Sequence, residues 1–382
     1  MNDVFATCEQ IISDINFTTV REWKEQSGGR QAIGYFPVYA PAEIIQAAGM
    51  LPVGLSGAGD RLDIQHADAR FGSFICSIVK TTLELGMTDH LDAFDGLLFT
   101  SICDSARNLC FVMQRNFPDK YIDFIHLPHN PSSPASVEFL ASEYRRLADR
   151  LAALGGKPYD EVAVLQAIDD YNENRSLTRA LHDWRADQPH LMKASELYAL
   201  VRAGNFLPVD QHTEMLLIAG AELEGRAAKA RDSIRVVVEG ACCEQPPIDV
   251  IRIIEEAGCY VVDDDLALGR RWFTGDVSSE GDPLMSLAEA YLNRSVYSSV
   301  RHDFRKPRSQ ELVEKVRNRK ADAVIMLVAK FCEPAYFDYV LFKQELEKEG
   351  IPHLLVEFEE KLFTFENLRM EVETFAESLL FA

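Results

Sequence analysis

The chain has 382 residues, 47% of them hydrophobic and 26% charged, with a formal net charge of −21. That length can build more than one core, and the composition is that of a soluble globular protein. The negative balance argues against nucleic acid or an anionic membrane as partner, and the longest apolar run, ending at Ala329, is far shorter than the ~20 residues a membrane span needs. Asp3 and Glu9 come early and no basic-then-apolar pattern precedes a small-residue cleavage site, which points to the cytoplasm. The eight cysteines therefore read as reduced thiols, and none of them forms a Cys-x-x-Cys pair, so any metal site must gather distant residues.

In chain order, an amphipathic segment containing Cys8 leads to a short strand at 31–34 and a loop at 35–41. Pro41 opens a helix with Ile44, Ile45 and Ala48 on its apolar stripe, Gly49 ends it, and 51–55 is the next strand, completing a βαβ unit. Gly54, Gly57 and Gly59 follow in neither phosphate-loop order and read as a turn. A helix is expected over 71–85, with Cys76 in its first turns and Gly86 behind it. The strand at 96–99 runs into Cys103, after which Asp104 is placed to cap a helix. A strand at 121–126 precedes an irregular loop in which His126 and His129 lie among prolines 128, 131 and 134. The helix capped near Ser133 runs to Leu154 and stops at Gly155-Gly156.

From 158 to about 231 the periods are long and helical, with Val162, Leu165, Ile168 and Tyr171 as a packing stripe. A second βα series follows, with strands near Arg235, Tyr260, Val324 and Leu354. The expected fold is α/β: two flavodoxin- or Rossmann-like parallel-sheet domains, 1–156 and 232–382, joined by a helical region at 157–231. Arg270-Arg271 reads as a solvated loop.

Cys103 and Cys332 stand where an apolar strand gives way to a helix, and Cys243 follows a strand in the same way. Ligands in open α/β sheets bind beyond the carboxyl ends of strands, so these residues and Tyr35 occupy the expected edge. Cys76 is near enough in sequence to Cys103 to reach the same cleft. Three thiolates at Cys76, Cys103 and Cys332 suit a 4Fe-4S cluster with one iron open, or a zinc ion with a free position. Because Cys242 and Cys243 are adjacent, an extended backbone points them to opposite sides, and neither joins this set. Cys8, Cys110 and Cys259 lie in apolar settings and read as packing.

Several stretches resemble the benzoyl-CoA reductase and 2-hydroxyacyl-CoA dehydratase family: Gly34-Tyr-Phe-Pro-Val-Tyr-Ala-Pro-Ala-Glu43 onward to Gly54, Ser101-Ile-Cys-Asp-Ser-Ala-Arg-Asn-Leu109, Cys243-Glu-Gln-Pro-Pro247, Gly258-Cys-Tyr-Val-Val-Asp-Asp-Asp265 and Phe331-Cys-Glu-Pro334. The likeness covers nearly the whole chain and is strongest to the smaller cluster-bearing subunit of the ATP-dependent reductase. It implies three cysteine ligands to a 4Fe-4S cluster, falling on Cys76, Cys103 and Cys332. It also implies a homologous cluster-bearing subunit, an actin-like ATPase activator that uses the ATP, an acyl-CoA substrate and reduced ferredoxin upstream. Pro37-Val38 and Pro41-Ala42-Glu43 stand where dehydratase members carry Cys, Ser or Thr before Pro-Glu-Glu, a departure that weakens dehydratase chemistry.

The expected activity is therefore reduction of the ring of benzoyl-CoA or a close analogue to a cyclic dienoyl-CoA, with Glu43 or Tyr35 as proton donor. The alternatives are radical dehydration of a 2-hydroxyacyl-CoA, a non-catalytic electron-relay subunit, and two flavodoxin-like domains whose thiols only pack.

Overall fold

A computed structural model describes residues 3–240, 243–266, 274–295, 307–359 and 365–381; Cys242 and the Arg270-Arg271 pair lie outside them. The first half contains helices α1 (Val4–Ser13) and α2 (Thr18–Glu25), strand β1 (Ala32–Phe36), α3 (Ala42–Ala47), β2 (Leu51–Gly54), the single turn α4 (Gln65–Asp68), α5 (Ser77–Met87), β3 (Gly96–Thr100), α6 (Asp104–Asn116), β4 (Tyr121–Ile125) and α7 (Ser136–Leu154). Next come α8 (Glu161–Asp187), α9 (Ala194–Ala203) and α10 (Val209–Glu224). The remainder contains β5 (Ile234–Glu239), α11 (Ile248–Glu256), β6 (Cys259–Asp264), α12 (Pro283–Arg294), α13 (Arg308–Asn318), β7 (Ala323–Ala329), α14 (Glu333–Lys348), β8 (His353–Phe358) and α15 (Glu366–Leu380). Among the described residues no helix is long and apolar enough to cross a membrane.

Among the described residues there are two four-stranded sheets, in the orders β2-β1-β3-β4 and β6-β5-β7-β8, and every pairing is parallel. A parallel sheet covered by helices on both faces needs strands that are apolar throughout. The central strands obey this: all five residues of β3 and all seven of β7 are buried. The expected α/β architecture of two parallel sheets is thus present. The helices between the sheets touch both, since α8 packs on α3 and on β6, while α9 packs on α1 and on α11.

Local departures from the sequence reading have local causes. Strand β1 runs to Phe36 and not to 34, because Tyr35 and Phe36 pair with Leu98 and Phe99 of β3. Helix α5 starts at Ser77, not at 71: Gly72 and Ser73 interrupt helix formation, and Phe74 is left 70% exposed. Cys76 is consequently the N-cap residue rather than part of a helical turn.

Helix α10 is held to its neighbours by His212, whose Nε2–H donates to the Leu200 carbonyl at 3.0 Å while Asn174 Nδ2 donates to Nδ1 at 3.0 Å. Burial pushes this imidazole down to about 4, although the Leu200 carbonyl opposes the shift. A histidine that is neutral when folded but takes a proton near 6.5 when unfolded contributes stability that is complete above that value and is lost as pH falls toward 4. Urea melts of the chain should therefore lose up to roughly 3 kcal/mol between these limits. His212→Gln should flatten that slope.

Candidate functional site

In each sheet the strand order reverses beside the first strand of that half, between β1 and β3 and between β5 and β7, and the loops beyond such reversals form the ligand crevice of doubly wound folds. Here the two crevices face each other. One cavity takes its walls from Phe36 and Pro37 after β1, Ile102 and Cys103 after β3, Cys243 and Glu244 after β5, and Cys332 and Pro334 after β7, with Cys76, Ile78 and Val79 from the start of α5. Residues from nearly opposite ends of the chain thus share a space that neither sheet could enclose alone.

Three of the cavity's cysteines are N-cap residues: Cys76 for α5, Cys103 for α6 and Cys332 for α14. The positive ends of three helices therefore come together at the thiols, which favours negative charge there. Cys103 itself fills the capping role expected of Asp104, its Sγ accepting the Ala106 N–H at 3.4 Å. Phe331, immediately before Cys332, adopts φ +64°, a left-handed conformation that turns the chain sharply out of β7.

Glu244 joins the two halves. Only 2% exposed, its carboxylate accepts the Ser77 hydroxyl and, at 3.2 Å, the Ile78 N–H, so a residue of the loop after β5 caps the helix that Cys76 begins. Burial, then the charge of Glu244, then Cys103 push the Cys76 thiol far above its ordinary range. A bare thiolate is unfavourable here, and a bound metal centre would favour the ionised sulfur.

The donors fit an iron-sulfur cluster. Soft sulfur ligands from four cysteines around one apolar-walled cavity are the set such clusters use. Among the described residues no three His, Cys, Asp or Glu side chains are gathered as for a single ion. A cubane makes a different demand, because it spreads its thiolates over separate irons.

Of the residues singled out from sequence, Cys76, Cys103 and Cys332 are brought together, and Cys243, set aside on its adjacency to Cys242, lines the same cavity. Its place after β5 at the reversal of strand order is the feature that points to it. Tyr35 and Glu43 do not line the cavity. Successive strand residues face opposite ways, so Phe36 turns to the thiols while Tyr35 turns away and donates to Asn205 Oδ1 at 3.3 Å. Glu43 is buried in an ion pair with Arg175 at 2.8 Å. Burial and the nearby Glu43 charge raise the Tyr35 phenol well above its usual range. Cys8, Cys110 and Cys259 lie in the hydrophobic cores, where burial raises their thiols to about 12, 12 and 11.

Fold and site together define a class: twin parallel sheets whose crevices oppose one another across a thiol-lined cavity. The family described as 2-hydroxyglutaryl-CoA dehydratase, D-component, matches residues 37–379, and the chain belongs to it. It is 37% identical over 381 residues to a benzoyl-CoA reductase subunit of Thauera aromatica, covering 99% of this chain and 98% of that one. It is 31% identical to the (R)-phenyllactyl-CoA dehydratase beta subunit of Clostridium sporogenes, with 92% of each chain covered. To the (R)-2-hydroxyglutaryl-CoA dehydratase beta subunit of Acidaminococcus fermentans it is 27% identical, with 95% of each covered.

Proposed function

We propose that this chain is the iron-sulfur subunit of an ATP-dependent benzoyl-CoA reductase that converts benzoyl-CoA, or a close analogue, to a cyclic dienoyl-CoA. The observation that carries the reading is the end-to-end similarity to a benzoyl-CoA reductase subunit. In the reaction the ring takes up two electrons and two protons while the thioester is kept. Reduced ferredoxin provides the electrons, and ATP is hydrolysed by actin-like partner subunits.

A 4Fe-4S cluster in the cavity would supply single electrons at low potential. The protein's own part is to hold and enclose it. Cys76, Cys103 and Cys332 present sulfur from three helix starts, Glu244 fixes the first of these helices, and Phe36, Ile78 and Val79 keep water from the cavity. A homologous cluster-bearing subunit would complete the acyl-CoA cleft. Phe337, Val340 and Leu341 suit such a neighbour: they are 67%, 50% and 44% exposed and fall on one face of α14, the helix Cys332 begins.

The proton-donor role of Tyr35 and Glu43 belongs to this proposal. Burial keeps the Tyr35 phenol protonated at working pH and makes it a weak acid, so it would give up its proton only to a strongly basic ring radical anion. Tyr35→Phe should stop turnover with iron content unchanged; undiminished turnover would remove Tyr35 from the mechanism.

Radical dehydration of a 2-hydroxyacyl-CoA is the second reading, favoured by the 31% identity to a dehydratase beta subunit. Incubating the anaerobically purified complex with benzoyl-CoA and with a 2-hydroxyacyl-CoA separates the two. Consumption of benzoyl-CoA dependent on ATP and reductant is expected. Turnover of the hydroxyacyl thioester alone would decide for dehydration.

A further inference from the structure

We propose that a second cavity, to which the loop after β5 also contributes, binds the phosphate group of a small organic phosphate monoester, with the buried guanidinium of Arg202 as its counter-ion. The inference stands whether or not the thiol cavity holds a cluster.

This cavity, of about 530 Å³, is walled by Glu9 and Ile12 of α1, Asp60 and Arg61 of the turn after β2, Arg202 of α9 and Pro247 at the start of α11. Arg202 is 5% exposed. Among the described residues its acceptors are two hydroxyl oxygens, that of Tyr198 at 3.1 Å and that of Ser56 at 3.3 Å; its Nε has none, and no carboxylate bonds it. Buried charges are ordinarily paired, because the hydration lost on burial must be replaced by an opposite charge. The acids nearest the helix start do not supply one: Glu9 and Asp249 are both held by Arg252, at 2.6 and 3.1 Å. An anion from outside the chain would complete the pairing that the protein leaves open.

Two further features turn this toward phosphate. Helix α11 begins at Pro247 with no side-chain cap, so its first-turn N–H groups and the positive end of its dipole share the cavity wall with Arg202. The guanidinium is also held in place: the Tyr198 hydroxyl it bonds donates in turn to the Pro246 carbonyl at 2.5 Å, the residue before that helix start. A fixed planar fork beside a helix N-terminus matches an anion with several oxygens. Inorganic phosphate alone would fill a small part of the volume, and the apolar surfaces of Ile12 and Ile248 leave room for an organic body up to the size of a nucleotide. Asp60, exposed on the rim, opposes a second phosphate there and so favours a single monoester.

The test is calorimetric titration of the anaerobically purified full-length chain with inorganic phosphate, AMP, CoA and dephospho-CoA, for wild type, Arg202→Gln, Arg202→Lys and Asp60→Asn. A single phosphate site is expected on wild type, weakened about 10–100-fold by Arg202→Gln and less by Arg202→Lys, which keeps the charge without the fork. Asp60→Asn, at an exposed position, should tighten binding roughly 2–5-fold by removing a like charge. AMP bound more tightly than inorganic phosphate would assign the monoester to a free nucleotide, and CoA bound more tightly than dephospho-CoA would assign it to the 3′-phosphate of a thioester; either result supports the site. Saturating phosphate should also raise the urea midpoint of wild type more than that of Arg202→Gln, whereas an arginine with a purely structural role predicts equal shifts. Affinities unchanged between wild type and Arg202→Gln would overturn the proposal. Should Arg202→Gln fail to fold, an unchanged affinity in Asp60→Asn would overturn it instead. Iron content has no bearing on either outcome, so the reading under Proposed function stands or falls separately.

Discussion

Replacing Cys103 and Cys332 together by alanine should give a complex in which this chain has lost its iron and ring reduction has fallen below detection. The two residues come from opposite sheets, and each begins the helix that presents it. Their loss would leave Cys76 and Cys243 as the cavity's sulfur donors among the described residues, too few to hold a cubane. The fold itself should survive. Both residues are only partly buried at the edges of the cores, and the hydrogen bond forfeited from Ala106 N–H to the Cys103 Sγ is a weak one, at 3.4 Å. Iron analysis alongside a circular-dichroism melt checks both halves of the statement. A folded variant retaining full iron would show that the cluster is not bound here.

The largest loss of stability is expected from Arg308→Met. This guanidinium, 6% exposed, donates to Asp338 Oδ2 at 3.0 Å, to Glu239 Oε1 at 2.6 Å and to Asp265, and it lies over the Phe342 ring. Lys315 Nζ adds a second cation on Glu239 at 2.7 Å. Removing one partner of a buried ion cluster costs about 3–5 kcal/mol, because the charges left behind stay buried without compensation. Glu239 would keep Lys315 and Asp265 the Gly240 N–H at 3.1 Å, but all three carboxylates would lose the arginine. Urea denaturation should record a fall of that size, and a change below about 1 kcal/mol would mean that water reaches the site and replaces the arginine. The substitution should also disturb the cavity, since Glu239 ends the strand leading to Cys243 and Asp338 lies on the helix that Cys332 begins.

What is legible in the sequence follows from distance along the chain. Apolar runs flanked by glycine or proline mark the strands, and Cys103 and Cys332 are visible because strand, turn and helix are contiguous there. Cys76 is less so. Its helix begins later than hydrophobic periodicity suggests, and the N–H and hydroxyl at that start are bonded by Glu244 from the loop after β5. Cys243 is set aside by an argument that holds for an extended backbone, but the chain turns out of the strand at Gly240. The Arg308 cluster leaves no mark at all, because each of its charges reads alone as a solvated surface group. Pairing of distant charges, and the side of β1 on which Tyr35 falls relative to the thiols, emerge only when the sheets meet.

The cavity's walls run from Phe36 to Pro334, which has a consequence for how the protein is made. A nascent polypeptide cannot assemble the four thiols until the ribosome has released the turn after β7. Delivery of a cofactor to the cavity would then follow the meeting of the two sheets. Before that moment the cysteines are ordinary oxidisable thiols. Afterwards a cluster bound there would tie residues 76 and 103 to 332, and a cell could use its presence to tell a finished subunit from an unfinished one.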